Sequence, residues 1–394
     1  MSQTEERVRA PRRGRRWPRV LIPVVALVLL FGVPWWALVF DGPQWPVAVV
    51  VLGTVVFLGA AIAFPIVMLR GHRHGGSDRA ARVADTTLGV VWVLFTWTIL
   101  GTVPRAVLAI AGIADPQRAR IVAGLVVVVV LVLLAWGSRE AMRVPRTRTT
   151  EVWLPRLGPG LDGTRVVVLA DTHFGPIDRA RWSAGTAAAI NRLEPDIVVH
   201  AGDIADGSVT ARLAQAAPLA TVEARLAKGA VTGNHEYFGA AQEWLDHLTE
   251  LGWQPLHNRH VLLERGGDRL VLAGIDDRTA LSSGLAGHGA NLTEALAGAD
   301  PELPVLLVAH QPRQVAQAAA AGVDLQVSGH THGGQIWPFH YLVRVDQPSV
   351  HGLSRHGART QLYTSRGAGF WGPPLRIFAP SELSLLVLRS DSGR

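Results

Sequence analysis

Four apolar runs within the first 150 residues constrain this 394-residue chain more than any other feature. A helix needs about 20 apolar residues to cross the hydrocarbon core of a bilayer, where every backbone polar group must be bonded within the protein. The runs cover residues 20–40, 45–69, 88–103 and 121–136, the third continuing past Pro104 into 106–112. Trp35, Trp36, Trp45 and Trp136 lie near their ends, where amphipathic rings favour the membrane–water interface. The central turns of the runs carry no Asp, Glu, Lys, Arg or His, whereas an ion pathway normally requires such groups. The region is therefore expected to anchor rather than to transport.

Charge sets the expected orientation. Residues 1–150 hold 18 Arg against seven acidic residues, and residues 151–394 hold 20 Lys+Arg against 24 acidic ones. The net charge of +7 thus belongs to the membrane part, and no basic nucleic-acid-binding face is indicated. Seven arginines fall in 1–19, four in 70–85 and four in 138–150, against none in 41–44 and three in 104–120. With four spans, the excess of positive charge on the inner side puts both termini in the cytoplasm of a multi-pass cell-membrane protein. Arg12-Arg13 or Arg15-Arg16 ahead of an apolar run also fits a twin-arginine export signal, which would reverse the sidedness. The expected organisation is a basic leader at 1–19, a membrane region at 20–137, a linker at 138–158 and a catalytic domain at 159–394.

From about Glu151 the pattern becomes alternating strands and helices. Strands are expected at 165–170, 196–200, 229–232, 304–309, 324–327, 362–365 and 383–388, with a hairpin over 261–264 and 270–275. Helices are expected at 181–192, 211–226, 240–251 and 312–321. This order implies an α/β domain with mixed sheets. Asp171 and His173 follow the first strand, Asp203 the second, and Asn234 and His235 the third; His310 follows a later strand, and His330 and His332 the next. Ligand sites of open α/β sheets collect beyond the carboxyl ends of strands, so five strand ends are expected to build one site.

The residue types suit a metal centre. With no Cys in the chain, thiolate zinc sites and Cys nucleophiles are excluded. Asp171-x-His173 and His330-x-His332 each send two side chains the same way from an extended segment. Gly202-Asp203-Ile204-Ala205-Asp206 offers a carboxylate with two oxygens, able to serve two cations. Gly233-Asn234-His235-Glu236 adds an amide oxygen and an imidazole. Mixed N/O donors favour Mn, Fe, Zn, Co or Ni over an all-oxygen Ca or Mg cage. Two such ions about 3.5–4 Å apart can activate a hydroxide and stabilise the attacking and departing oxygens of phosphoryl transfer.

These five motifs, in this order, resemble those of the calcineurin-like metallophosphoesterases. The run Gly329-His330-Thr331-His332-Gly333-Gly334-Gln335, with Ser365-Arg366-Gly367 and Glu382, is most similar to the membrane-linked bacterial YkuE/YaeI type. An animal transmembrane protein with a metallophosphoesterase domain is similar in layout. The resemblance covers roughly 160–390 and stops short of the spans. It implies a sandwich of two β-sheets flanked by helices (α/β/β/α) and two divalent metal ions. Asp171, His173 and His332 would hold one ion, Asn234, His310 and His330 the other, and Asp203 would bridge them. His235 would act on substrate as the catalytic group, oriented by Asp206. His257-Asn258 departs from the family pattern, outside the site.

Arg366 follows a strand and is placed either to contact phosphate or to make a structural ion pair. Gln335 is a candidate buttress for the imidazole loop, and Phe370-Trp371-Gly372-Pro373-Pro374 either dips toward lipid or packs as an ordinary loop. His200, His257, His288 and the other histidines outside the motifs are read as packing or surface residues. The expected function is a membrane-anchored binuclear-metal phosphohydrolase acting on a lipid-linked or nucleotide-type phosphoester. The alternative is a catalytically silent, membrane-held metal-binding scaffold or sensor.

Overall fold

A computed structural model of the chain, described for residues 17–73 and 75–391, divides into two compact units. Most of the leader and both arginine pairs lie outside the described residues. One unit takes in the described residues up to Phe64 together with Leu94–Val129; the other takes in Pro65–Val93 and the chain from Val130 onward.

The N-terminal helices are α1 (Trp17–Trp35, continued by a wider turn Trp36–Phe40), α2 (Val47–His72), α3 (Asp78–Leu100), α4 (Thr102–Ile110) and α5 (Gln117–Met142). Among the described residues, four stretches are long and apolar enough to cross a membrane: Leu21–Phe40, Val47–His72, Asp78–Ile110 and Gln117–Met142. Their apolar side chains are largely exposed, Val47 at 78% and Leu69 at 73%, as lipid-facing residues are. The third helix starts at Asp78, well before the apolar run at 88. Ser77 Oγ accepts from the Ala80 N–H at 3.4 Å, and Asp78 lies in the first turn, where the helix dipole favours negative charge.

The second unit carries strands β1 (Arg146–Leu154), β2 (Arg165–Leu169), β3 (Ile197–Ala201), β4 (Ala227–Val231), β5 (Gln254–Pro255), β6 (Arg259–Arg265), β7 (Asp268–Gly274), β8 (Val305–Val308), β9 (Leu325–Ser328), β10 (Gly352–His356), β11 (Thr360–Thr364) and β12 (Glu382–Ser390). They form two six-stranded mixed sheets, ordered β1-β12-β2-β3-β4-β5 and β10-β11-β9-β8-β7-β6. Helices α6 (Ala180–Asn191), α7 (Val209–Ala216), α8 (Ala241–Glu250), α9 (Ala280–Ser283), α10 (Leu292–Ala295), α11 (Val315–Ala320) and α12 (His340–Asp346) lie between the strands in sequence.

Alternate residues of each strand face opposite ways. Val166, Val168, Ile197 and Val199 therefore meet Leu270, Leu272, Leu306 and Val308 in a core between the sheets. Val167, Leu169 and Val198 pack outward among Trp182, Ile190, Trp244 and Leu248 of α6 and α8. Val271, Ala273 and Leu307 pack outward among Ala295 and Ala318 of α10 and α11. Burial on both faces explains why the central strands are unbroken apolar runs. The result is the α/β/β/α sandwich that the resemblance implies.

Some elements differ from the sequence expectation. Residues 138–158, expected as linker, hold the end of α5 and β1, which pairs with β12 from Arg146↔Glu382 to Leu154↔Ser390. This edge strand buries only Val152 and Leu154, so its sequence lacks a strand's apolar signal. The helix expected over 211–226 ends at Ala216, and a tight turn Ala217–Thr221 follows because Pro218 cannot continue it.

The start of α3 docks on the sandwich within the same unit. Arg212 makes two bonds to the Asp78 carboxylate, at 2.6 and 2.7 Å, and donates to the Asp206 carbonyl at 2.9 Å. Gly89 permits the close approach, since a Cβ there would lie 2.7 Å from Leu375 Cδ1.

Candidate metal centre

The expected ligands come from the ends of five strands: β2, β3 and β4 in one sheet and β8 and β9 in the other. Asp171, His173, Asp203, His310 and His332 are buried; Asn234, His235, Asp206 and His330 are half-buried and reach the surface of a cavity or cleft. Five of them hold left-handed backbone: Asp171 (φ 55°), His173 (41°), Asp203 (53°), His330 (71°) and His332 (51°). That conformation costs a non-glycine residue about 1 kcal/mol or more, somewhat less for Asp, and such strain gathers where side-chain placement matters. Two glycines make room. A Cβ on Gly233 would lie 2.1 Å from Asp203 Oδ1, and one on Gly202 would lie 2.7 Å from His310 Nδ1.

Donor atoms form overlapping groups, each within 4.8 Å: Asp171–His173–His332, His173–Asp203–His235 and Asp203–His310–His330. His173 Nε2 and His332 Nε2 face each other at 3.1 Å, and Asp171 Oδ1 lies 3.7 Å from His332 Nε2. Ligands that share a cation at about 2.1 Å sit roughly 3.0–3.4 Å apart, so this spacing fits a cation-binding cradle. Asp203 Oδ2 lies 3.5 Å from His173 Nε2 and 3.2 Å from His310 Nε2, facing both groups. His310 Nε2 is also 3.2 Å from Asn234 Oδ1. His310 Nδ1 donates to the Ala201 carbonyl at 2.8 Å, which fixes the tautomer that leaves Nε2 a lone pair. His173 is fixed in the same way through Nδ1 and Asp206 Oδ1, at 3.1 Å.

One atom speaks most directly for a cation. Asp171 Oδ1 accepts from the His330 N–H at 2.8 Å, but Asp171 Oδ2 is fully buried with no hydrogen-bond partner. An unpaired buried carboxylate oxygen is costly unless it is protonated or meets a positive charge. Burial does push the Asp171 carboxyl up, and the charge of Asp203 adds to this. The residues present therefore fit the binding of divalent metal.

Asp206 Oδ1 lies 2.6 Å from His235 Nδ1 as well as 3.1 Å from His173 Nδ1, so one carboxylate orients both rings. Burial works against a proton on His235, but Asp203 and Asp206 outweigh it and raise its pKa to about 9. Burial likewise opposes charge on Asp206, yet the two imidazoles hold its carboxyl well below the usual range.

Arg366 stands apart from the donors. Its Nε lies 3.7 Å from Glu382 Oε2 and its Nη2 3.4 Å from His351 Nε2, the ion-pair geometry rather than a place in the cavity lining. Gln335 ties the aromatic loop to the imidazole loop: its Nε2 donates to the Trp371 and Pro373 carbonyls, and its Oε1 accepts from the Trp371 N–H. The Trp371 ring then sits 6.0 Å from the His235 ring. His200 is buried behind the site against Thr172 Oγ1 at 3.1 Å, and burial lowers its pKa to about 3. Outside the motifs, His257, Asp276 and His288 also meet, but their donor atoms are engaged with one another and with Tyr237, Gln242 and Gly289.

Three supporting residues were given no role in the sequence reading. The Glu236 carboxylate accepts from the N–H groups of Asp203, Ile204, Ala205 and Gly233, at 2.6 to 3.2 Å, and shapes the turn that bears Asp203. Arg179 is buried, donates to the Thr172 and His173 carbonyls, and lies between the rings of Trp182 and Phe370. Arg376, fully buried, donates to the carbonyls of His332, Arg366, Gly367, Gly369 and Ala379. Of the three, only Glu236 was findable, as the last letter of Gly-Asn-His-Glu.

The chain is similar in sequence to known proteins. The profile of the calcineurin-like phosphoesterase family matches residues 164–334. A Danio rerio protein named "transmembrane protein with metallophosphoesterase domain" is 36% identical over 271 residues, which is 67% of this chain and 62% of that protein. The chain thus spans less than two thirds of that relative's length. A Campylobacter jejuni protein named a metallophosphoesterase is 32% identical over 304 residues, covering 76% of this chain and 79% of its own. Bacillus subtilis YkuE, also named a metallophosphoesterase, is 29% identical over 241 residues, covering 59% and 82%.

Proposed function

The chain belongs to the calcineurin-like metallophosphoesterase family, and from that premise we propose that it is a membrane-anchored hydrolase cleaving a phosphoester at a pair of divalent metal ions. The observation that supports this best is the convergence of six N/O donor residues, Asp171, His173, His332, Asn234, His310 and His330, around Asp203, with the buried Asp171 Oδ2 lacking any hydrogen-bond partner. In this reading Asp171, His173 and His332 hold one ion, Asn234, His310 and His330 the other, and Asp203 both. Bound there, the ions supply Lewis acidity, which lowers the pKa of a water and offsets charge on the phosphoryl oxygens.

The chain's own residues do the rest. Asp206 holds His235 by Nδ1, so the Nε2 side of the ring is free to face substrate. There it stabilises negative charge or gives its proton to the leaving oxygen. Trp371 and Phe238, with rings 6.0 and 5.1 Å from that of His235, limit water on this side of the ring. Glu236, Arg179 and Arg376 hold the loops that carry the strained ligand positions. The distribution of arginines supports a cytoplasmic catalytic unit, and a C-terminal reporter active only in the periplasm would reverse that placement.

The test uses the full chain in non-ionic detergent, with a panel of chromogenic phosphomonoesters and phosphodiesters. Metal analysis is expected to give about two ions per chain, matching the two donor sets. A chelator is expected to abolish turnover and Mn²⁺ to restore it. His235→Ala is expected to lower kcat by about 10²–10⁴-fold, the range of a positioned acid–base group, while metal content stays unchanged. Full metal loading with no turnover across the panel would leave the silent-scaffold reading instead.

A further inference from the structure

The metal centre opens into a cavity of about 410 Å³, far larger than a phosphoryl group needs. Its metal end is lined by His173, Asp203, Asn234, His235, His330 and His332. Its other end is apolar. Ile336, Phe339, Leu342 and Val343 line one side, Trp371 and Pro373 another, and Leu88 and Trp92 of α3 close it. The Trp92 and Phe339 rings meet edge-on at 5.8 Å. Leu88 and Trp92 lie where α3 turns from its charged first turns, held by the Asp78–Arg212 pair, to its apolar length. That helix belongs to a stretch long and apolar enough to cross a membrane.

The rim has the same character. Helix α12 exposes Tyr341 at 58%, Leu342 at 55% and Val345 at 83%, beside exposed Phe339 and Trp371. Apolar residues grouped on one short helix at a cavity mouth mark a contact surface rather than scattered surface hydrophobics. The charges point the same way. None of the lining residues is Lys or Arg, and the one charged lining group outside the metal centre is Asp346. Asp346 is itself ion-paired with Arg313 at 2.8 Å, so the lining offers no cationic side chain of its own to neutralise the further anionic oxygens of a nucleotide or pyrophosphate head.

Resting on the phosphoesterase reading above, we propose that the substrate is a membrane amphiphile with a single esterified phosphate group, whose hydrocarbon chain lies in the apolar arm between α3 and α12. The phosphate reaches the metals while the chain stays in contact with apolar surface. Each buried methylene favours binding by about 0.8 kcal/mol, so chain length governs kcat/KM. Hydrolysis adds water across the P–O bond: the hydroxyl stays on phosphorus, and the leaving alcohol takes the proton.

The test compares p-nitrophenyl dodecyl phosphate with p-nitrophenyl methyl phosphate and with thymidine 5′-(p-nitrophenyl phosphate), on the full chain with Mn²⁺ below the detergent-like aggregation of the probe. The dodecyl ester is expected to exceed both others in kcat/KM by about 100-fold, equivalent to burying a few methylenes. Leu342→Asp and, separately, Trp92→Ala are expected to collapse the dodecyl-to-methyl ratio by about tenfold or more. A diazirine-bearing dodecyl phosphate should label peptides from α3, α12 and the Trp371 loop in the wild-type chain, which needs no variant to fold. Equal rates on the dodecyl and methyl esters, preference for the thymidine ester, or labelling confined to other segments would overturn the proposal and leave phosphoester hydrolysis standing. No hydrolysis by a metal-loaded chain of any of these probes or of the phosphomonoester panel would instead remove the phosphoesterase reading.

Discussion

Asp203→Asn is expected to lower phosphoester turnover by at least about 10³-fold and to reduce bound metal to about one ion per chain or fewer. Among the described residues, Asp203 is the one whose side-chain oxygen faces both donor groups, 3.5 Å from His173 Nε2 and 3.2 Å from His310 Nε2. Its other oxygen accepts from the His235 N–H at 2.9 Å, so the carboxylate also fixes the start of the His235 turn. Asparagine keeps the volume and one acceptor oxygen but presents an NH₂ group to one metal position. Neutralising this group also removes the charge that offsets two dications. Turnover and metal content are to be measured on the same preparation. Near-normal turnover with two ions retained would overturn the proposed shared role.

Arg376→Met is expected to destabilise the catalytic unit by about 3–5 kcal/mol, the range for breaking a buried charged network. The guanidinium has no solvent exposure and donates to five backbone carbonyls. Methionine fills much of the space but leaves those acceptors without donors, each costing about 1–3 kcal/mol before water and relaxation compensate. Two of the carbonyls belong to His332 and Gly369, so the imidazole loop loosens along with the 366–379 segment. Arg376→Lys is not expected to rescue, since three donors on one ammonium cannot reach the places of a planar fork. The measurement is the midpoint of protease-detected unfolding of the metal-free chain. An unchanged midpoint in both variants would show that the network contributes nothing to stability.

The candidate ligands were legible because their chemistry is local. A carboxylate or imidazole immediately after an apolar β-run must emerge at a strand's carboxyl end, whatever the rest of the chain does. The extended segments expected to send Asp171 and His173, and His330 and His332, the same way are not formed: all four residues hold left-handed backbone, so tight turns set their directions. Arg376 and Arg179 were not legible, because an arginine in a loop looks the same whether it meets water or five buried carbonyls. Strand β1 was missed for a related reason: as an edge strand it buries two side chains, so pairing with β12 across more than 200 intervening residues defines it rather than any periodicity. Arg366 carried two open readings, because a strand-end arginine looks the same in sequence whether it meets Glu382, as it does at 3.7 Å, or a phosphate.

By itself, then, the sequence determined the classes of element and of chemistry: spans long enough for a bilayer, buried strands, and N/O donors at their ends. These follow from hydropathy, periodicity and side-chain type, which act over a few residues. Tertiary structure alone decided how the donors group around Asp203, and which oxygen of Asp171 is left without a partner. It also decided that Leu88 and Trp92 of a membrane-type helix share a cavity with the metal ligands. Those facts depend on contacts between segments far apart in the chain, fixed by how two sheets and a docked helix pack.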